Sequence, residues 1–241
     1  MNCLLLPENS ALTLNADSQK VRHIKNVLKM SDGDEIFVGK KNGNLWVCTL
    51  KYADDGSIEF KPLRDVPTPE CLDVGIAISF ARPQIAQRIL FEAACLGVRH
   101  LIFYPATKGE ADYAKSSLYA KGEFYDWLEK GAEQACITAI PKFEICQSLA
   151  NALTSLENAF PNALRLAPDV YEATDTLSGA LEKNLTKTAT LVLGSERGFT
   201  NADRNTLRDS NYTLVSLGKR VMRTDSAFIA SCAILSAFFE K

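Results

Sequence analysis

The sequence predicts an α/β protein in two parts: a small β-barrel-like domain over residues 1–68 and a larger domain around a parallel sheet over residues 72–241. Three observations lead there. Short β-like runs in the first part are separated by Asn42-Gly43 and Asp55-Gly56, dipeptides that favour hairpin turns. The prolines of Val66-Pro67-Thr68-Pro69-Glu70 resist both helix and inner strand, so the segment reads as a linker. Beyond it strands and helices alternate, as in βαβ units.

In the first part the expected strands are Cys3–Leu6, Glu35–Val38, Leu45–Tyr52 and Ser57–Phe60. One helix interrupts them, from Asp17 as N-cap to Met30, with Val21, Ile24 and Val27-Leu28 on its buried side. In the second part Val74–Phe80 is a strand and Pro83–Leu96 an amphipathic helix carrying Ile85, Ile89, Leu90 and Ala93 along one side. His100–Tyr104 is the next strand. A long helical pattern covers Ser117–Thr138, and further strands fall near Ala163–Leu166, Thr190–Leu193 and Tyr212–Leu217. The last helix, Ser226–Phe239, is small or apolar almost all round, which implies burial in a core or at a subunit interface.

Composition narrows the class. With 46% hydrophobic and 23% charged residues the chain reads as a soluble globular protein. No apolar run approaches the roughly 18 residues that span a bilayer, so no membrane partner is expected. The N-terminal segment lacks a basic region and a long apolar core, which predicts a cytoplasmic location. The 7 cysteines stand singly without a C-x-x-C pair, and beside only 2 histidines they predict reduced thiols and no metal site. The same scarcity of histidine argues against Ser-His-Asp or Cys-His catalysis. A net charge of −2 argues against a protein that coats nucleic acid indiscriminately. From Ser18 to Met30, however, Lys20, Arg22, His23, Lys25 and Lys29 stand without an acid; alone, this segment reads as an ordinary solvated helix face.

Two blocks near the C-terminus carry the chemistry. Leu191-Val192-Leu193-Gly194-Ser195-Glu196-Arg197-Gly198 and Leu217-Gly218-Lys219-Arg220-Val221-Met222-Arg223-Thr224-Asp225 each run from a strand through a glycine-containing loop into a helix. Glycine lets backbone approach a ligand closely. Two such loops at neighbouring strand ends make a pocket for a small cofactor. Lys219, Arg220 and Arg223 add a positive face suited to an anionic substrate. No G-x-G-x-x-G follows a first strand, which disfavours a nicotinamide-dependent dehydrogenase.

These residues resemble a known family, the bacterial 16S ribosomal RNA (uracil-N3) methyltransferases of the trefoil-knotted SPOUT superfamily. The resemblance runs through His23-Ile24-Lys25-Asn26-Val27-Leu28-Lys29, Leu96-Gly97-Val98, Glu133-Gln134 and, most specifically, the two glycine loops. The family writes the first loop as Gly-Pro-Glu-Gly-Gly and the second as Leu-Gly-x-Arg-Val-Leu-Arg-x-Glu-Thr-Ala; here they read Gly194–Gly198 and Leu217–Ala227. Departures fall mostly on the RNA side. The first arginine is Arg22, Ile137 stands where an arginine is usual, Glu92 replaces a basic residue, and Ser195 and Arg197 alter the first loop itself.

The resemblance implies a PUA-like N-terminal RNA-binding barrel, a knotted C-terminal methyltransferase domain and a homodimer. It also implies S-adenosylmethionine as cofactor and ribosomal RNA or the small ribosomal subunit as substrate. Carried over, the cofactor residues are Leu166, Ala167, Pro168, Leu193, Gly194, Glu196, Gly198, Leu217, Gly218, Val221 and Met222. Arg22, His23, Lys25, Lys29, Arg197 and Arg220 are the candidate RNA contacts. Arg223 is the candidate catalytic residue, because methylating uracil at N3 requires loss of the N3 proton, and a guanidinium favours the resulting anion on O2 and O4. Two other readings share the residues: the same fold with a different RNA target such as a ribose 2'-hydroxyl, and a non-catalytic RNA-binding or ribosome-assembly protein that keeps the pocket.

Overall fold

The computed structural model describes residues 2–240, so the outermost residue of each expected domain lies outside it. The chain divides into two compact units. One contains the residues up to Glu70 together with Ala132–Ile140, and the other Cys71–Gly131 and the residues from Pro141 onward.

In the first unit β1 (Leu4–Leu6), β2 (Thr13–Leu14), β3 (Glu35–Lys40), β4 (Leu45–Tyr52) and β5 (Ile58–Val66) form a curled half-barrel in the order β1-β3-β4-β5-β2. The turns fall where the dipeptides put them: Gly43 N–H donates to Lys40 O and Gly56 N–H to Ala53 O, each at 2.9 Å. β5 runs on past Phe60 to Val66, beyond the expected strand and into the expected linker. It can do so because β2 pairs only with Ile58 and Glu59, leaving the rest of β5 an edge, and a register shift in β4 opposite Pro62 absorbs the missing N–H.

The helix of this unit differs from its expectation. Ser18, not Asp17, is the N-cap, its side chain accepting from Val21 N–H, and α1 covers only Gln19–His23. The chain continues as a π-helical turn over Ile24–Leu28, closed when Lys29 enters the left-handed region at φ 53°. The wider turn rotates the following residues off the buried face. Val21 and Ile24 are buried as expected, whereas Val27 and Leu28 are exposed. Lys20 also leaves the positive face, its Nζ lying 2.8 Å from Glu133 Oε1.

In the second unit, among the described residues, seven strands pair in parallel: β6 (Leu72–Ser79), β7 (Val98–Tyr104), β8 (Lys142–Ile145), β9 (Leu164–Pro168), β10 (Asp175–Thr176), β11 (Ala189–Leu193) and β12 (Thr213–Ser216). Their order is β10-β12-β9-β11-β6-β7-β8. The helices are α2 (Pro83–Cys95), α3 (Ser117–Ala120), α4 (Phe124–Ala135), α5 (Leu149–Ala159), α6 (Leu177–Glu182), α7 (Asn201–Asp209) and α8 (Thr224–Phe239). The expected helix over Ser117–Thr138 is two helices, broken at Lys121–Gly122. α5 and α7 are capped by Ser148 and by a Thr200–Asp203 capping box, signals the sequence reading passed over. Leu153, Leu156 and Leu207 pack with Ala77, Ile102 and Val192 on one face of the sheet. Ile76, Ile78, Leu101 and Leu191 alternate with them along the strands and are equally buried, so both faces are covered.

His100 in β7 is buried, with Nε2 3.3 Å from Glu144 Oε2. Burial, reinforced by the Lys142 charge, pushes its pKa below the ordinary 6.5 against the opposing pull of Glu144. The unfolded chain therefore binds this proton more readily than the folded one, and the stability held above pH 6.5 is lost as the pH falls. The melting temperature should drop by a few degrees between pH 7.5 and 5.5, and the drop should be smaller in His100→Gln. Identical pH dependence of the two proteins would remove His100 as the cause.

Candidate active site

The parallel strands β9, β11 and β12 end side by side, with β9 in the middle. The two glycine loops are thus not on neighbouring strands, as their sequence suggested, but flank the end of β9. Together the three strand ends border a cavity of about 680 Å³, within the ordinary range for a small-ligand pocket.

Of the expected cofactor residues, Pro168, Leu193, Gly194, Glu196, Gly198, Leu217, Gly218, Val221 and Met222 line this cavity. Leu166 and Ala167 do not: both are fully buried in β9, where their side chains fill the core. Val221 is 78% exposed, so it belongs to the cavity wall and not to the core.

The first loop is held from behind. The Tyr104 hydroxyl donates to Leu193 O at 3.0 Å, and burial pushes that hydroxyl far above the usual tyrosine range, so it stays a donor. Lys108 Nζ donates to Phe199 O at 3.1 Å, and Gly198 N–H to Ser195 O at 2.8 Å closes the turn. Gly194 is required by close packing, since a Cβ there would lie 3.2 Å from the Gly198 carbonyl carbon and from the Phe199 ring. Gly218 is required by conformation, with φ +116°. A Cβ on Gly218 would have no atom within 4 Å, so conformation and not packing sets the demand there.

Arg223 lines the cavity as the N-cap residue of α8, its side chain 72% exposed. Its Nε lies 3.5 Å from Asp225 Oδ1, within ion-pair distance but without hydrogen-bond geometry. Asp225 is almost fully buried; Oδ2 accepts from Arg88 at 3.2 Å, while Oδ1 has no hydrogen-bond partner. Asp225 is among the residues bordering the cavity, but this oxygen is itself buried and the Arg223 guanidinium is the charge beside it. Arg197 and Arg220 also line the cavity, whereas Arg22, His23, Lys25 and Lys29 lie on α1 and its π-helical continuation in the first unit. Arg22, Lys25 and Lys29 are exposed there and His23 is half-buried.

Sequence reasoning missed other wall residues, among them Arg82, Lys108, Asp169 and Tyr171. Asp169 is buried and satisfied: Oδ1 accepts from the N–H groups of Tyr171 and Glu172, each at 2.7 Å, and Oδ2 from Arg204 Nε at 3.0 Å.

The cavity suits S-adenosylmethionine on its donor set. An apolar wall of Leu217, Val221 and Met222 offers contact to an adenine, and the side-chain-free Gly194 and Gly218 let backbone approach a ligand.

Comparison with known proteins agrees with this geometry. The chain is 27% identical over 247 residues to the ribosomal RNA small subunit methyltransferase E 1 of Borreliella burgdorferi, covering 98% of each chain. It is 27% identical over 251 residues to the ribosomal RNA small subunit methyltransferase E of Treponema pallidum, covering 98% of this chain and 91% of the other. Its fold is that of a ribosomal RNA small subunit methyltransferase E from Neisseria gonorrhoeae, a structure bound to S-adenosyl methionine. The TM-score is 0.80 at 20% identity, over 99% of this chain and 98% of that one. The profile of the RNA methyltransferase PUA domain matches residues 16–63, and that of the RNA methyltransferase domain matches residues 68–236. With well over half its length in that second match, the chain belongs to the RNA methyltransferase domain family.

Proposed function

We propose that this protein transfers a methyl group from S-adenosylmethionine to N3 of a uridine in small-subunit ribosomal RNA. The observation that carries the reading is the meeting, in one cavity at the ends of β9, β11 and β12, of an apolar wall with the exposed Arg223 guanidinium and its partner Asp225. Near-complete coverage by two small-subunit ribosomal RNA methyltransferases supports the choice of RNA.

When bound, S-adenosylmethionine supplies a methyl group activated by its sulfonium. Leu193, Leu217, Val221 and Met222 would hold the adenine by apolar contact, and the backbone of the two glycine loops would satisfy its polar edges. Uracil N3 must lose its proton to become nucleophilic. The proton leaves to solvent, and the Arg223 guanidinium, ion-paired to Asp225, stabilises the charge developing on O2 and O4. The rest is alignment, which the rigid strand ends provide.

Arg22, His23, Lys25 and Lys29 on the first unit, with Arg197 and Arg220 at the cavity, contact RNA phosphates as a sequence-independent electrostatic footprint. A cytoplasmic location goes with the ribosomal substrate, and among the described residues no helix is long and apolar enough to cross a membrane.

Assembly as a homodimer is supported by α8. Phe228, Cys232 and Leu235 bury one face, while Ser226, Ala233 and Ala237 stay exposed on another, and no charge occurs from Ser226 to Phe239. Sedimentation at micromolar concentration should give the dimer mass; a monomer would refute this.

Small ribosomal subunits from cells lacking the protein, incubated with it and methyl-labelled S-adenosylmethionine, test the activity. Label in RNA should digest to N3-methyluridine. Label on a ribose 2'-hydroxyl would support the second target, and no label the non-catalytic reading.

A further inference from the structure

Tyr171 lines the cavity yet remains 76% exposed, an unusual position for a large aromatic that the surrounding structure holds in place. Its backbone is fixed by the 2.7 Å hydrogen bond from its N–H to Asp169 Oδ1. Asp169 is anchored in turn by Arg204 at 3.0 Å, and the two side chains are only 2% and 5% exposed. The same guanidinium lies 5.5 Å from the centre of the Tyr171 ring, so a buried cation backs one side of the ring. The ring's edge reaches across to the β11 loop, where Cε2 comes within 3.8 Å of the position a Cβ on Gly198 would take. A buried ion pair, a backbone hydrogen bond and a cation contact thus hold one aromatic ring while most of its surface stays open.

Two planar groups must share this cavity during methyl transfer, an adenine and a uracil. The apolar side chains of the β12 loop provide for one. We propose that Tyr171 provides for the other, as the stacking platform that receives an unpaired pyrimidine of the RNA. The assignment rests on the methyltransferase reading above and names how its substrate base is held. Stacking on an aromatic face suits a base that has left its own stack, and needs no hydrogen bond from the ring.

The test uses the full-length protein with 16S ribosomal RNA. Tyr171→Ala should lower kcat/KM for RNA roughly 5- to 150-fold, the range for loss of one stacked base. Tyr171→Phe should stay near the original protein, because it keeps the ring. Calorimetry should give the same S-adenosylmethionine affinity for all three. RNA transcribed with 5-iodouridine should crosslink on irradiation to the peptide containing Tyr171, a readout that needs no methyl transfer. A persistent crosslink in a protein that transfers no methyl group would support the platform while removing the methyltransferase reading. Loss of cofactor affinity in Tyr171→Ala with unchanged RNA kinetics would overturn the proposal and assign the ring to the cofactor wall. A Phe variant as impaired as the Ala variant, or an Ala variant as active as the original protein, would overturn it equally.

Discussion

Gly218→Val should weaken S-adenosylmethionine binding by about a hundredfold or more, on the order of 3 kcal/mol, with the fold retained and a melting temperature lower by only the few degrees that the backbone strain costs. Two effects act together. At φ +116° any L side chain is strained, so the loop must move, and a branched side chain is added to a residue that borders the cavity. No core contact is lost, because Gly218 sits on an exposed loop after β12. Gly194→Val is the less clean variant. Its Cβ would press on the Gly198 carbonyl carbon and the Phe199 ring at 3.2 Å, disturbing the packing of the first loop along with the cavity. Calorimetry with both variants decides: unchanged affinity in Gly218→Val would make the second loop a structural turn only.

Arg223→Ala should lower the rate of methyl transfer roughly 10²- to 10³-fold, the cost of removing one donor from a developing oxyanion. Cofactor affinity should barely change, since the interaction strengthens only as charge develops. Lysine should rescue partially at best, because its point charge lacks the planar fork that meets a carbonyl edge. Asp225→Asn should be slow as well, because it removes the carboxylate that pairs with Arg223. Neutralising Lys25 and Lys29, both exposed and remote in sequence from the cavity residues, should instead weaken RNA binding. It should lower the salt slope by about one per lysine and leave single-turnover chemistry on saturating RNA near normal. Full activity of Arg223→Ala on small subunits would remove Arg223 from the mechanism. Loss of RNA binding in that variant would reassign it to substrate capture.

The glycine loops were legible because each imposes a local demand: backbone packed against backbone at Gly194, left-handed backbone at Gly218. The hairpins were legible for the same reason. The π-helical turn after α1 was not, because Ile24–Leu28 keeps an ordinary apolar spacing and only the hydrogen bonds from Lys29 and Met30 back to Ile24 O reveal the extra width. Lys20 read as part of a positive face because its partner, Glu133, lies 113 residues away. A similar distance in sequence hid Arg82, whereas Asp169 and Tyr171 stand just past Pro168, where no glycine or basic run marks the loop. They come from the ends of β6 and β9, and sequence spacing does not tell which strand lies between β11 and β12. Leu166 and Ala167 stand beside a ligand loop in sequence, but their side chains are buried in the core because the strand has not yet ended.

The central claim is that this protein makes N3-methyluridine in small-subunit ribosomal RNA. Mass spectrometry of nucleosides from the 16S RNA of a deletion strain tests it most directly. The account predicts that one N3-methyluridine present in the parent is missing, is restored by the original protein, and stays missing with Arg223→Ala or Gly218→Val. An unchanged N3-methyluridine signal in the deletion strain would contradict it.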